Sequence, residues 1–280
     1  MAGAVGMGSD MTSSPNGLWK LERRAAMATL RFVHPPRNFL TFQAFAELEE
    51  LLGELADDEA VRTVVLASGV DGYFAAHADL DELALLQQGP VPEARYWYTA
   101  MRAVERLPQP VVALLSGQVW GGGLELALAC DIRVALPDAH FRLPETALGI
   151  IPGAGGTQRL MRLIGPGLAA NLVLSGRRLG AEEAASVGLV ERILSAAEAD
   201  AYLDSITTKP RAALVAAKQA LREGKESDLR QGLKVEGRLF ADLLTQSASR
   251  ELVACARAAY AAAADEQPVD VVASVGHLRG

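Results

Sequence analysis

The most constraining feature of this chain is a run of three glycines at positions 121–123, between two apolar segments. The apolar run Val111–Leu115 predicts a buried strand before the glycines, and the run 126–130 continues an apolar helix after them. A helix that opens on glycines leaves backbone N–H groups without partners, and the positive end of its dipole lies there too. The sequence therefore predicts a site for an oxygen that acquires negative charge.

Two glutamates lie twenty residues apart beside this backbone. Glu125 follows Gly122 by three positions, so both belong to the first turn of one helix. Glu145 precedes the glycine-rich segment 149–157. Two nearby carboxyl groups in an apolar pocket do not both ionise easily, so one remains a proton donor while the other acts as a base. The pattern predicts addition or proton transfer next to a polarised carbonyl group.

Each of these features also has a purely structural interpretation. A glutamate in the first turn of a helix commonly complements the helix dipole, and one that follows a proline is commonly a solvated turn residue. The glycines of segment 153–156 either contact a ligand or only allow close packing and unusual backbone angles. It is the occurrence of these features together that favours the catalytic interpretation of Glu125 and Glu145.

The overall composition argues against several classes of protein. The 280-residue chain has a net charge of −7, which opposes broad binding to nucleic acid or to an anionic membrane surface. Its apolar runs are shorter than the ~20 residues that span a bilayer, and the N-terminus lacks the pattern of a secretory signal. Cys130 and Cys255 lie far apart and predict reduced thiols, not a disulfide or metal pair. We expect a cytoplasmic protein without a metal.

Hydrophobic periodicity predicts an α/β core followed by helices. The predicted strands are 18–22, 26–33, 61–67, 111–115, 132–136, 140–143 and 190–194. The predicted helices are 41–55, capped by Thr41, then 93–107, 168–174, 181–186, 196–203, 211–222, 228–245 and 249–264. The strand–strand–helix order indicates stacked short sheets. We divide the chain into a disordered leader (1–16), a core with the active site (17–205), a helical C-terminal region (206–265) and a flexible tail (266–280).

Four motifs in a fixed order resemble the crotonase superfamily, and within it the enoyl-CoA hydratases. They are HPPRNFL at 34–40, FAAHADL at 74–80, GGGLE at 121–125 with Cys130-Asp131, and the segment 144–160 that contains PE and IPGAGGTQRL. The similarity covers about residues 18–221. It implies a spiral of ββα units with a C-terminal helical layer, through which members of the family form homotrimers or dimers of trimers.

The resemblance also implies roles for individual residues. The thioester oxygen of an acyl-CoA substrate would lie between the backbone N–H groups of Ala78 and Gly122. Glu125 would act as the base while water attacks Cβ of a trans-2-enoyl thioester, and Glu145 would deliver a proton to Cα. The family needs no cofactor, because coenzyme A is part of the substrate.

Further positions are assigned to the substrate and its coenzyme A portion. The carbonyl groups near Ala76 and Ala78 would receive the adenine amino group, whereas Asp79 and Asp131 are predicted to anchor loops. Trp120 either narrows the acyl pocket or packs in the core. The full set of positions assigned to substrate or coenzyme A is Ala76, Asp79, Leu80, Arg37, Trp120 and Gly121.

The chain departs from the family pattern at the thioester loop. His77 stands where the family usually has glycine, and either contacts substrate or lies exposed on a shifted loop. Lysines that often bind the coenzyme A phosphates are replaced by Gly72 and Asp81, and the usual arginine by His34. Arg37 is the leading local substitute for these cations. Lys234 or Arg238 of a neighbouring subunit is a further candidate, and a carrier-protein thioester is an alternative substrate.

Two other functions are compatible with the same fold. An enoyl-CoA isomerase would use Glu145 alone, and the presence of Glu125 favours hydration over that reaction. A non-catalytic relative would bind acyl-CoA or RNA, but the acidic charge and the lack of a long Lys/Arg cluster oppose RNA binding.

Overall fold

The structure is a computed structural model and describes residues 10–263 and 268–276. The described residues form two compact units, which are divided between residues 203 and 204. Within the described ranges, every helix is too short or too polar to cross a lipid bilayer.

The strands found among the described residues all belong to the first unit. In chain order they are β1 (Asp10–Ser13), β2 (Trp19–Arg24), β3 (Met27–Phe32), β4 (Thr63–Ser68), β5 (Tyr73–Ala75), β6 (Val111–Leu115), β7 (Gln118–Trp120), β8 (Ile132–Ala135), β9 (His140–Arg142), β10 (Leu179–Gly180) and β11 (Arg192–Ile193).

Helices follow most strand pairs and make up the second unit. The first unit contains α1 (Phe42–Asp57), α2 (Leu80–Gln88), α3 (Tyr96–Arg106), α4 (Gly122–Ala129), α5 (Gly156–Ile164), α6 (Pro166–Ser175) and α7 (Ala181–Ser186), with 3-10 helices at Pro92–Arg95 and Glu145–Leu148. Helix α8 (Ala196–Thr207) crosses the boundary between the units, and the second unit continues with α9 (Arg211–Glu226), α10 (Leu229–Leu244), α11 (Ser247–Ala262) and α12 (Val271–Ser274).

Two sheets share the strands between them. The larger sheet has the order β1-β2-β3-β4-β6-β8-β11, and its pairs from β3 to β11 are parallel. The smaller sheet has the order β10-β9-β7-β5, in which β5, β7 and β9 run parallel. Each of the successive pairs β4-β5, β6-β7 and β8-β9 contributes one strand to each sheet before a helix follows. The predicted α/β arrangement of ββα units is confirmed.

Within the first unit, the two sheets and the helices pack around one apolar core. The larger sheet contributes the fully buried Leu66 to this core, and the smaller sheet contributes the fully buried Val119 and Phe141. Helix α1 contributes the apolar face that its spacing predicts, and Thr41 caps it by accepting the Ala44 N–H at 3.0 Å. The buried residues of that face are Phe42, Phe45, Leu48, Leu51, Leu52 and Leu55. Burial of such a face stabilises a helix far more than its intrinsic propensity does.

Several predicted elements differ from the structure. The prediction of disorder in the leader 1–16 is wrong for residues 10–16, because β1 pairs with β2 and the Ser14 hydroxyl donates to buried Glu47. The remainder of the leader lies outside the described residues. The predicted helix 93–107 is divided into a 3-10 turn and α3, and α5 was not predicted. The predicted tail 266–280 contains α12 among its described residues. The other domain boundaries stay predictions.

Candidate active site

Gly121 precedes α4, and Gly122 and Gly123 are its first two residues. Gly121 has φ of 49° and ψ of −125°, a conformation that favours glycine, and it precedes the first helical residue, Gly122. A Cβ on Gly123 would lie 2.2 Å from the carbonyl oxygen of Ala75 in β5. Only glycine therefore allows α4 to approach β5 this closely, and this contact fixes the position of the N-terminal turn.

The loop after β5 is held in place by the segment before α1. The N–H of Leu40 donates to the His77 carbonyl at 2.9 Å, and the Leu40 carbonyl accepts the Asp79 N–H at 2.8 Å. In a trans peptide the C=O and N–H groups point in opposite directions. Because the His77 carbonyl points to Leu40, the N–H of Ala78 in the same peptide points the other way.

Asn38 anchors this segment from inside the core. It is fully buried with φ of 52°, and its Nδ2 donates to the carbonyl groups of Phe32 and Phe74 at 3.2 and 3.1 Å. The Asn38 carbonyl accepts the N–H of Ala76 at 3.1 Å. The asparagine of the HPPRNFL motif thus connects β3, β5 and the loop that carries Ala78.

The predicted oxyanion donors lie side by side. The N atom of Ala78 is 3.6 Å from the position that a Cβ would take on Gly122. Within the described part of the chain, neither the Ala78 N–H nor the Gly122 N–H donates to an acceptor. Two such donors at the positive end of a helix dipole can bind an oxygen that becomes negatively charged during a reaction.

Glu125 is a buried residue in the first turn of α4, three positions after Gly122. Its side chain is 4% exposed, and Oε1 accepts the N–H groups of Ala154 and Gly156 at 2.8 and 2.7 Å. Burial raises the pKa of Glu125, whereas these two N–H groups and the positive charge of Arg159 oppose that rise. Oε2 makes no hydrogen bond among the described residues and is not one of the fully buried unpartnered atoms. It is therefore the oxygen available for chemistry.

Glu145 approaches the same glycines from the 3-10 helix Glu145–Leu148. Its Oε1 lies 3.0 Å from the position that a Cβ would take on Gly121, and its Oε2 is buried without a partner in the described chain. Burial raises the pKa of Glu145 to about 7, and the negative charge of Glu125 adds to this rise. Burial thus raises the pKa of both carboxyl groups, and Glu125 differs from Glu145 in having the Ala154 and Gly156 N–H groups and the charge of Arg159 to oppose that rise.

The other positions assigned to substrate are distributed around this centre. Ala76 is fully buried, and Leu80 is 49% exposed at the start of α2. Asp79 caps α2 by accepting the N–H of Asp81 at 2.9 Å, which is the anchoring role that the sequence predicts. Asp131 also anchors backbone, because its Oδ2 accepts the Val111 N–H at 2.7 Å.

Trp120 makes its described contacts on the small sheet. Its Nε1 donates to Nδ1 of His140 at 2.9 Å, and the guanidinium of Arg142 lies 5.4 Å from its ring centroid. These contacts hold the indole between β7 and β9. A contact of Trp120 with the acyl group stays a prediction.

His77 and Arg37 show how this chain departs from the family pattern. The His77 ring is half-buried and stacks on Phe39 with centroids 4.8 Å apart, so it does not lie exposed on a shifted loop. Its Cβ is 3.0 Å from the Cβ position of Gly121, beside Glu145. Arg37 is exposed and has no ion pair with another described residue. It is therefore available to an anion from solution.

The sequence did not assign the residues that hold Glu125. The sequence does not decide whether the glycines of segment 153–156 contact a ligand or only allow close packing. In the structure, the N–H groups of Ala154 and Gly156 in this segment donate to the carboxylate of Glu125. Arg159 supports this segment by donating to the Ala154 carbonyl at 2.7 Å. The sequence feature that could have indicated this role of Arg159 is its position one helical turn after Gly155.

Comparison with known proteins identifies the family. The sequence profile of the enoyl-CoA hydratase/isomerase family matches residues 22–261. The mitochondrial methylglutaconyl-CoA hydratase of Mus musculus is 39% identical over 218 residues, which cover 75% of this chain and 69% of that protein. The short-chain-enoyl-CoA hydratase of Clostridium acetobutylicum is 32% identical over 230 residues, which cover 79% of this chain and 87% of that protein.

Solved structures agree with the sequence comparison. The crystal structure of enoyl-CoA hydratase from Bacillus anthracis superposes with a TM-score of 0.79 and 32% identity, and covers 86% of this chain and 96% of that one. The predicted crotonase fold is thereby confirmed. The chain belongs to the enoyl-CoA hydratase/isomerase family of the crotonase superfamily.

Proposed function

We propose that this protein is an enoyl-CoA hydratase, a carbon–oxygen lyase that adds water to a trans-2-enoyl thioester or removes it in reverse. The observation that carries this proposal is the convergence of two unlike carboxyl groups on the start of α4. Glu125 has an anion-stabilising pair of N–H donors, and Glu145 has a buried oxygen without a partner. A base and an acid beside a pair of oxyanion donors are the groups that conjugate addition of water needs.

The reaction follows from these positions. The thioester oxygen accepts the N–H groups of Ala78 and Gly122, which draws electron density away from Cβ. Glu125 removes a proton from water as the water oxygen bonds to Cβ, and the electron pair of the double bond moves onto the thioester as an enolate. Glu145 then gives its proton to Cα, which completes syn addition. Each oxyanion donor lowers the barrier by roughly 3–4 kcal/mol on the precedent of other oxyanion holes.

The presence of both glutamates favours hydration over isomerisation. An isomerase moves one proton between two carbons and needs one carboxyl group, whereas hydration needs one group for water and one for Cα. The negative charge of Glu125 raises the pKa of Glu145, which favours the protonated, acidic form of Glu145 beside an ionised base.

The test is the loss of ultraviolet absorbance when the conjugated bond of a short enoyl-CoA is hydrated. We expect Glu125→Gln and Glu145→Gln each to lower kcat/KM by at least ~10². The control is Glu182→Gln, an exposed carboxyl group on α7. A rate within threefold of wild type for either active-site variant would contradict the assignment. A panel of acyl lengths, on coenzyme A and on a carrier protein, would identify the substrate.

We also propose a homotrimer or a dimer of trimers that associates through the helical region 206–265. Four apolar side chains of α10 are at least 48% exposed at spacings of four, seven and four, namely Leu229, Leu233, Phe240 and Leu244. A stripe with this spacing lies on one face of a helix and is typical of a surface that another element covers. Sedimentation of wild type and Leu233→Glu/Phe240→Glu would test this, and an unchanged mass would contradict it.

We further propose that the protein acts in the cytoplasm and needs no cofactor besides the coenzyme A of its substrate. Within the described residues neither Cys130 nor Cys255 forms a disulfide, as is usual in proteins of reducing compartments. The proposed steps are proton transfer, hydrogen bonding and addition of the water oxygen to Cβ, and none of them changes the overall oxidation state of the substrate. Full activity after exhaustive dialysis against a chelator would support the second point, and loss of activity would contradict it.

A further inference from the structure

A chain of hydrogen bonds connects α3 to the carboxylate of Glu125. Glu105 on α3 accepts from Nε of Arg159 at 2.7 Å, and Nη1 of Arg159 donates to the Ala154 carbonyl at 2.7 Å. The N–H of Ala154 in turn donates to Oε1 of Glu125 at 2.8 Å. The Arg159 side chain is 16% exposed, so this charge lies largely away from water.

The guanidinium group also occupies a space that only glycine leaves open. Gly155 has φ of 102°, and a Cβ there would lie 2.1 Å from Nη1 and 2.9 Å from Cζ of Arg159. The N–H of Arg159 donates to the Gly155 carbonyl at 2.9 Å. Residues 154–156 are thus held by both the backbone and the side chain of Arg159, while the N–H groups of Ala154 and Gly156 point to Glu125.

Building on the hydratase function proposed above, we propose that Arg159 is a positioning residue for Glu125. It fixes segment 154–156 so that two N–H groups meet Oε1, and it keeps this carboxylate in the ionised form that accepts a proton from water. Glu105 orients the guanidinium and partly offsets its charge. Neither residue touches the substrate in this scheme.

The charges around Glu125 determine the sign of the expected effects. Among the described residues, Arg159 on α5 favours its ionised form, and Glu145 on the 3-10 helix is the nearby carboxyl group whose pKa the charge of Glu125 raises. His77 is a further titratable group, beside Gly121. Helix α4 carries no charged residue other than Glu125. Removing Arg159 should therefore raise the pKa of Glu125, and removing the charge of Glu105 should lower it by strengthening the field of Arg159.

The experiment compares Arg159→Met with Glu105→Gln, because both break the same ion pair but change the field at Glu125 in opposite directions. For Arg159→Met we expect the acid limb of the kcat/KM profile to move up by about 0.5–1 pH unit. We expect kcat to fall about tenfold with KM within twofold, since misplacement of a catalytic group lowers kcat strongly. For Glu105→Gln we expect the acid limb to move down. Arg159→Lys keeps the charge but loses the forked contact, so its kcat should fall without the full upward shift.

A titration that needs no activity separates this inference from the proposed function. The glutamate carboxyl groups are labelled with ¹³C, and the Glu125 signal is assigned by its loss in Glu125→Gln. The pKa of Glu125 is then measured in wild type, Arg159→Met and Glu105→Gln. Arg177→Met, which breaks the exposed ion pair with Glu183, is the control. Opposite shifts of the Glu125 signal support the inference even if wild type fails to hydrate any enoyl thioester, which would refute only the function. Shifts of the same sign, or none, would overturn it.

Discussion

Glu145 lies against Gly121 so closely that its Oε1 is 3.0 Å from the position of a Cβ on that glycine. Gly121→Ala should therefore displace the carboxyl group as well as strain a backbone with φ of 49°. We expect a loss of about 1–3 kcal/mol of unfolding free energy from the backbone and a fall in kcat of at least about tenfold from the displaced acid. Chemical denaturation and hydration kinetics measure the two effects separately.

The matched control for this prediction is Gly188→Ala. Gly188 has φ of 76° but nothing within 4 Å of its Cβ position, so it shares a positive φ, which strains any L side chain, without the contact. It should lose similar stability and keep wild-type kcat. Equal losses of kcat in both variants would show that strain, and not the contact with Glu145, explains the effect at Gly121.

The Gly122 N–H can be removed with little change to the helix. Gly122 is the first residue of α4, a position where proline is well tolerated because the N–H has no partner inside the helix. Gly122→Pro should lower kcat by about 10²–10³ through loss of one oxyanion donor. Gly122→Ala adds a Cβ but keeps the N–H, and its Cβ would make ordinary contacts of 3.6 Å with Ala78 and Leu40. We therefore expect a large ratio of the two rates, and a ratio near one would exclude a role of the Gly122 N–H.

The elements that the sequence predicts well are those with local signals. Helix α1 has a capping threonine and a regular apolar face, and β6 is a continuous apolar run, so both were predicted closely. The assignment of Glu125 and Glu145 required the resemblance to a family in addition, because a single acidic residue near a turn has a common structural explanation. The three glycines indicated where the two carboxyl groups meet.

The elements that the sequence does not predict depend on distant partners. Strand β1 has no apolar alternation and exists because β2 offers a partner and Glu47 binds Ser14. Helix α5 begins at glycine, which has low helix propensity, and the segment before it is held by Arg159 and Glu125. The orientation of the Ala78 N–H depends on Leu40, which is 38 positions earlier in the chain. No local pattern encodes these contacts.

Arg37 should contribute to binding of coenzyme A but not to the chemical step. Its guanidinium is exposed and has no ion pair with a described residue, and it lies three positions before Leu40, which contacts the thioester loop. We expect Arg37→Ala to raise KM for an enoyl-CoA about threefold to tenfold, with kcat unchanged, and to weaken the salt dependence of KM. A pantetheine thioester lacks the nucleotide phosphates and should show no change. Arg102→Ala, another exposed arginine, is the control, and equal KM changes in both variants would contradict a specific role.

The buried carboxyl group of Glu145 should make the protein less stable as pH rises. Its pKa is about 7 in the folded protein and 4.5 when freely solvated, so the folded state holds its proton more tightly. Such a group contributes full stability below pH 4.5 and loses that contribution as pH rises through about 7. Glu145→Gln removes this titration and should be about 1–3 kcal/mol more stable than wild type at pH 8.

The pH dependence of this difference is what distinguishes it from an ordinary packing effect. At pH 4.5 the wild-type carboxyl group is largely protonated and resembles the amide, so the two proteins should unfold at nearly the same temperature. At pH 8 the melting temperature of Glu145→Gln should be several degrees higher, at about 2–4 °C per kcal/mol for a chain of this size. A melting-temperature difference that is the same at both pH values would contradict the raised pKa. Glu145→Gln should therefore be more stable at pH 8 and also lose hydratase activity. Both effects have one cause, because the burial that destabilises the ionised Glu145 also keeps it protonated as the catalytic acid.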